Sequence, residues 1–465
     1  MAGETETVRD VVVVGGGVAG LVTAWELRDR DVVVLEASDR FGGRLKSSPR
    51  DPYWLNFGAH LFPPAESTTG RLVAQLGLET APFRGTPYAI AMRGRVIPAM
   101  PEWRYPLQMP LSPAARLSLI RSGLKLVGAE RQAEKERKAL GGASPEAERL
   151  RILRFMGDES FADFIDEGSL HPEVDALFRA VANRLTGTMR QLSAGGFVTH
   201  YAGANKGAKS TWLTGLVGGS GRFPAALAEA LGARVQSGAE VTSVTEESGL
   251  VRVAFTRGGE QTLLLARHVV LATTAGTAAR IAPVLAPETR SALEAVQYGP
   301  YVVVSLLTGE RRAMPWDDLY AVLVVGKRFN ILMNQANLLR DPARGREPGG
   351  SLMLYAGGEF AQPFLGQPDE QVVQTFLDDV TTIFPDLRGI VREAVVQRWH
   401  EGVPYISPGR HRLQEALERR QARVSLAGDY FGYPSIEESA LSAVHAARHA
   451  RATLRAAAGE PQPVS

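Results

Sequence analysis

The run Asp10-Val-Val-Val-Val-Gly-Gly-Gly-Val-Ala-Gly-Leu21 constrains this chain more than any other feature. Four valines lead straight into glycines, so a strand buried on both faces runs into a tight turn. Gly15 permits the turn, Gly17 lets the backbone approach a pyrophosphate, and Gly20 lets the next helix sit against the sheet. The helix expected over Val18 to Arg28 points its positive end at that pyrophosphate. A second apolar strand, Val32 to Leu35, ends in Glu36. That carboxylate is placed to accept hydrogen bonds from both hydroxyls of an adenosine ribose, and it disfavours a 2′-phosphate. A GxGxxG alone is weak evidence; strand, turn, helix, second strand and terminal acid in register make a dinucleotide site.

The bulk numbers exclude several classes. With 465 residues the chain has room for two or three domains. A formal net charge of +2 gives no global electrostatic case for nucleic acid or anionic membrane. Cysteine is absent, which rules out disulfides, thiolate metal sites, a cysteine nucleophile and a thioether-linked cofactor. The polar, acidic start, Met1 to Arg9, is unlike a signal peptide, and no apolar run approaches a membrane span. The expected setting is cytoplasmic, with peripheral membrane contact not indicated. No metal-ligand spacing occurs; His445 and His449, four apart, lack further candidate ligands.

Along the chain, texture changes at Pro82 to Leu111, which is proline-rich and aromatic and reads as a departure from the first sheet. A helix is expected from Ser112 to Leu140, with Leu117, Ile120, Leu124 and Val127 at helical spacing. Its end, Glu130 to Lys138, alternates in charge sign and reads as a solvated helix end rather than a docking face. A β section begins near Gly218-Gly219, followed by a helix over Ala225 to Leu231 and a hairpin broken at Ser248-Gly249. Further strands are expected at Tyr301 to Leu307, Ala321 to Val325, Phe329 to Asn334 and Ser351 to Tyr355, then a helix from Gln371 to Phe384. Near the C-terminus a short strand ends at Gly428-Asp429, and Ser435 with Glu438 forms a capping-box pattern for a helix starting at Ile436.

Together these segments resemble the superfamily of flavin amine oxidases, protoporphyrinogen oxidases and phytoene-type desaturases. The matching residues are Gly15, Gly17, Gly20, Glu36, Gly42-Gly43-Arg44, Asn56-Phe-Gly-Ala-His60, Gly218-Gly219, Ala272-Thr273-Thr274, Ala427-Gly428-Asp429 and Ser435-Ile-Glu437. They span nearly the whole chain in the family's order. The resemblance implies an α/β fold: a Rossmann-type FAD-binding domain (1–85, 215–290 and 395–465) carrying an α+β substrate-binding domain inserted in segments (86–214 and 291–394). It implies a bound FAD, expected to be non-covalent because no cysteinyl link is possible, with a histidyl link left open. Val241 backbone would meet the adenine. Gly43, Arg44, Gly58, Ala59 and His60 would lie along the pyrophosphate and isoalloxazine. Asp429 would bind the ribityl or pyrophosphate region, and the helix at Ile436 would face the flavin N1–O2 edge, where a helix N-terminus stabilises negative charge.

Flavin amine oxidases usually place a lysine on a substrate-domain strand, yet Tyr298 to Leu307 contains none. The expectation is therefore hydride removal from a C–H bond of an apolar carbocyclic or polyene-like substrate, with oxygen or another acceptor reoxidising the flavin. Amine-to-imine oxidation is the alternative, and non-redox isomerase or mutase chemistry a second one. A non-catalytic lipid-carrying escort is the rival from another class, disfavoured by the intact fingerprint. Catalytic candidates are His60, Tyr405 and Tyr433, with Trp399 as a further aromatic near the substrate. Each has a packing role as its plain competitor, and for Lys206, Lys209 and Arg222 the plain reading is a surface side chain.

Overall fold

In the computed structural model, which describes residues 8–142, 144–207, 214–340 and 345–459, the four valines Val11 to Val14 divide between two hydrophobic cores. Val11 and Val13 face one core; Val12 and Val14 face the other, and all four are at most 3 % exposed. The strand Val8–Val14 is therefore central, paired in parallel with Val32–Leu35 on one side and Glu260–Leu271 on the other. Burial of such side chains stabilises the fold by about 1.5–3 kcal/mol each. Val235–Gln236 adds in parallel beyond Val32–Leu35, and Val424–Leu426 pairs in parallel with the end of Glu260–Leu271. An antiparallel meander, Ala239–Glu247, Leu250–Arg257 and the start of Glu260–Leu271, completes the seven-stranded sheet. Its hairpin turns at Ser248-Gly249, both at positive φ (51° and 79°). Helices Val18–Glu26, Arg222–Leu231 and Ile436–Ala458 cover the face of Val11 and Val13.

A second seven-stranded sheet runs in the order Val391–Pro404, Tyr298–Thr308, Gly350–Gly357, Ile331–Asn334, Leu319–Val324, Thr86–Met92, Arg95–Pro98. All neighbours are antiparallel except Leu319–Val324 with Thr86–Met92. Period-two alternation separates its faces: Val302, Val304 and Leu306 join a core with Phe376 and Val380 of helix Asp369–Val380. Tyr301 and Val303 point the other way, into a small cluster with Tyr320, Met333, Met353, Tyr355, Tyr88, Phe83, Leu61 and Trp399. A helical region, Pro113–Ala139 through Ala194–Gly207, packs its own core beside this sheet.

Several sequence expectations shift. The segment after Pro82 does leave the first sheet, but as strands Thr86–Met92 and Arg95–Pro98 of the second. The expected boundary at residue 395 cuts through Val391–Pro404, which pairs with Tyr298–Thr308 along its length. In helix Pro113–Ala139 the apolar stripe points outward: Leu117, Ile120 and Leu124 are exposed, while Ala115, Ser122, Leu126 and Ala129 are buried. Three of these four, Ala115, Ser122 and Ala129, are small and let the neighbouring helices approach, while Leu126 fills the core between them. The charged end behaves as expected, with Arg137 pairing Glu134 at 2.7 Å. Helix Arg222–Leu231 starts three residues earlier than expected, and Asp369–Val380 ends before Phe384. Among the described residues no helix is long and apolar enough to cross a membrane.

Candidate active site

The glycine turn closes as its sequence demands. Gly15 sits at φ 104°, and a Cβ on Gly20 would lie 1.8 Å from the Gly15 carbonyl oxygen, so neither position tolerates a side chain. Gly17 is different: a Cβ there meets nothing within 4 Å, so the turn faces open space. Gly17 caps helix Val18–Glu26 without any side-chain cap, which leaves the first helical N–H groups to an external acceptor. Gly43, at φ 54°, lies beside Gly17, and Gly42 donates its N–H to the Gly16 carbonyl at 2.8 Å. Glu36 is held at the strand end: one carboxylate oxygen accepts from Gly16 N (2.6 Å), the other from Ser38 N and Oγ (2.9 and 2.7 Å). Ala239 N donates to the Glu36 carbonyl, which sets the strand carrying Val241 against this corner; a register shift follows between Val241 and Ser243.

Arg44 and Asp429 join the two ends of the chain. Arg44 Nη2 donates to Asp429 Oδ1 at 2.8 Å and Nη1 to the Gly402 carbonyl at 3.1 Å. Arg44 is surrounded by protein, yet 28 % of its side chain remains accessible. Gly58 packs on the Arg44 carbonyl so closely that a Cβ would lie 2.0 Å away, and Ala59 N donates to the same oxygen. Gly428 N is held by Ser442 Oγ. The capping box forms by half: Ser435 Oγ accepts from Glu438 N, but the Glu438 carboxylate turns to Arg149 at 2.7 Å. Glu437 instead caps a different helix, accepting from Thr68 N and Thr69 N at 2.8 Å each.

His60 is buried with both ring nitrogens engaged. The Gly58 carbonyl can only accept, so Nδ1 carries the proton, and Nε2 accepts from the Tyr320 hydroxyl at 2.8 Å. Burial first, with the nearby Arg184 charge, brings its pKa down to about 4, while the Gly58 hydrogen bond opposes the shift. Trp399 donates its indole N–H to the Phe57 carbonyl at 2.6 Å and lies opposite Tyr301 across the ladder. Gln397, opposite Val303, accepts from Lys46 Nζ at 2.6 Å. A lysine therefore does reach this sheet face, from the first domain rather than from Tyr298–Thr308. Burial, then the neighbouring Arg40, lowers its pKa.

Tyr433 leads to a group the sequence reading missed. Its hydroxyl meets His200 Nδ1 at 2.7 Å, and His200 Nε2 meets the Arg184 guanidinium. A guanidinium only donates, so His200 carries its proton on Nδ1 and Tyr433 accepts it, leaving the phenolic proton free to donate elsewhere. Burial, then Arg184, holds His200 well below the usual histidine pKa, and burial raises Tyr433 to about 12. Both are neutral near pH 7. Tyr301 donates to the Arg184 carbonyl and stands edge-on to Tyr355, ring centroids 4.9 Å apart. The structure does not bring Tyr405 to this group: its ring packs in the helical core, and burial raises its pKa. Arg222 is held by the Val217 carbonyl at the surface; Lys209 and the Lys206 side chain lie outside the described residues.

Comparison with known proteins decides the family. A model of flavin containing amine oxidoreductases matches residues 18–451. The chain belongs to the flavin-containing amine oxidoreductases. It is 28 % identical over 480 residues to an L-amino-acid oxidase of Mus musculus, covering 95 % of this chain and 71 % of the relative. It is 27 % identical over 429 residues to a coproporphyrinogen III oxidase of Mycobacterium bovis, covering 87 % and 88 %. The fold matches putrescine oxidase bound to putrescine (TM-score 0.75, 20 % identity, 96 % and 99 % coverage). It also matches cyclohexylamine oxidase from Brevibacterium oxydans (TM-score 0.74, 19 % identity, 97 % and 100 % coverage). This family member is an FAD-dependent oxidoreductase. Its residues fit that cofactor: open space before Gly17, an uncapped helix start and an accessible, enclosed Arg44 offer room and hydrogen-bond donors to an anionic pyrophosphate.

Proposed function

We propose that this flavoprotein oxidises a primary amine to an imine. The observation that carries the reading is the family match, which spans both halves of the chain. FAD would supply the acceptor for the hydride leaving the substrate C–H bond, while the nitrogen loses a proton as C=N forms; oxygen would return the flavin to its oxidised state. FAD binding would be non-covalent. Glu36 would take the ribose hydroxyls, the start of Val18–Glu26 the pyrophosphate, and Arg44 with Asp429 the ribityl region. The start of Ile436–Ala458 would face N1, where its dipole favours the charge that hydride transfer leaves. Tyr433 and Trp399 would flank the substrate, and Tyr433 keeps a proton to donate to it.

His60 would act by positioning rather than by proton transfer. Both its nitrogens are occupied, and it pins Tyr320 against the Gly58 turn. Dehydrogenation of a carbon–carbon bond is the second reading, favoured by the lack of a lysine on Tyr298–Thr308 and by the likeness to a coproporphyrinogen III oxidase. Anaerobic flavin bleaching separates the two. Reduction by phenethylamine or L-phenylalanine, with none by cyclohexanone, supports amine oxidation; the reverse pattern refutes it.

A further inference from the structure

Arg184 is enclosed by protein yet keeps part of its surface open, and among the described residues it has no carboxylate partner. Its Nε makes no hydrogen bond. Other enclosed arginines are neutralised: Arg44 by Asp429, Arg149 by Glu418 and Glu438, Arg340 by Glu310 and Asp317. Arg410 also lacks an ion pair, but it is sealed at 4 % exposure beneath the Tyr430 carbonyl. Burying an unpaired charge is costly, so an enclosed cation that keeps part of its surface open is suited to an anion from elsewhere.

The surroundings specify that anion. Arg184 ends helix Pro172–Arg184, where the helix dipole favours a cation and lowers the cost of waiting without one. Its guanidinium is oriented by His200 and Tyr355 and lies 5.9 Å from the Tyr88 ring centroid. Tyr88, Tyr301, Tyr355 and Tyr433 surround it; the first three share a cluster with Trp399 and with Tyr320, the hydrogen-bond partner of His60. A planar guanidinium among phenol hydroxyls suits a carboxylate. The same fixed charge repels a diamine.

We propose that Arg184 anchors a substrate carboxylate, so that the amine oxidised here also carries a carboxylate, as an α-amino acid does. The amine half rests on the proposed function above; the carboxylate half does not.

The test uses the FAD-loaded protein and flavin absorbance. L-phenylalanine and phenethylamine differ by the carboxylate alone; 3-phenylpropanoate and 3-phenylpropanamide report binding without reaction. Wild type should bind 3-phenylpropanoate and not the amide, and should favour phenylalanine over phenethylamine by about 10–100-fold in half-saturating concentration. Arg184→Met should abolish both preferences and Arg184→Lys retain part of them. If Arg184→Met does not fold, the acid–amide contrast in wild type and its weakening in Arg184→Lys decide. Equal binding of acid and amide, or a carboxylate preference unchanged in the variants, overturns the proposal. Flavin reduced by both amines without preference leaves amine oxidation standing and sinks the anchor. Acid binding that depends on Arg184, with neither amine reducing flavin, sinks amine oxidation and keeps the anchor.

Discussion

Arg44 Nη2 and Asp429 Oδ1 stand 2.8 Å apart although 385 positions separate them in the chain. This ion pair brings the N-terminal Gly-Gly-Arg turn and the C-terminal Ala-Gly-Asp strand end into direct contact.

Removing the acid should show what the pair does. Asp429→Asn leaves a largely enclosed guanidinium short of its charge partner, a loss of about 1–3 kcal/mol. The flavin-free protein should lose that much stability in urea unfolding, and the loaded protein should retain FAD less well. Unchanged stability and retention would mean that the pair is incidental.

Two glycines of the same motif should respond in opposite ways. Gly20→Ala drives a Cβ to 1.8 Å from the Gly15 carbonyl and should destabilise the flavin-free fold by about 1–3 kcal/mol or more. Gly17→Ala meets nothing within 4 Å and should leave the flavin-free melting temperature intact while weakening FAD retention. Equal effects on folding would refute the distinction between a packing glycine and a ligand-facing one.

Glu36→Ala should also lower FAD retention, because the ribose acceptor goes. Equilibrium dialysis of the flavin measures it; retention equal to wild type would place the ribose elsewhere.

The extent to which this was legible in the sequence follows locality. Strand, turn, helix and Glu36 could be read because each contact there joins residues within about one βαβ unit. The His60 turn was legible as a place, but its occupied nitrogens were not, since Tyr320 comes from a strand 260 positions away. Arg184, His200 and Tyr301 carry no local signal: a helix end, a second helix and a strand supply one residue each, and only packing brings them together. Periodicity misled in Pro113–Ala139, where the stripe of Leu117, Ile120 and Leu124 is exposed and the buried face is mostly small residues beside Leu126. Tyr405 looked like a site aromatic by position, but its side chain belongs to the helical core.

Two buried histidines and the partly buried His200 should make the fold acid-sensitive. Burial first lowers His60 to about 4 and His268 to about 3, and it holds His200 well below its usual value. Unfolded histidines titrate near 6.5, so below that pH the unfolded chain binds more protons. Stability is full above about pH 6.5 and falls as pH drops toward 4, with roughly 2–3 kcal/mol from His60 alone. Thermal melts of the flavin-free protein from pH 7.5 to 4.5 should show the decline. A flat melting temperature across that range would mean that these rings are not buried neutral.

The most direct test of amine oxidation is ammonium released per flavin reduced in a single anaerobic turnover with L-phenylalanine, because the imine hydrolyses to a carbonyl compound and ammonium. The account predicts one ammonium for each flavin bleached; flavin bleached with no ammonium would show that the bond being oxidised is not carbon–nitrogen.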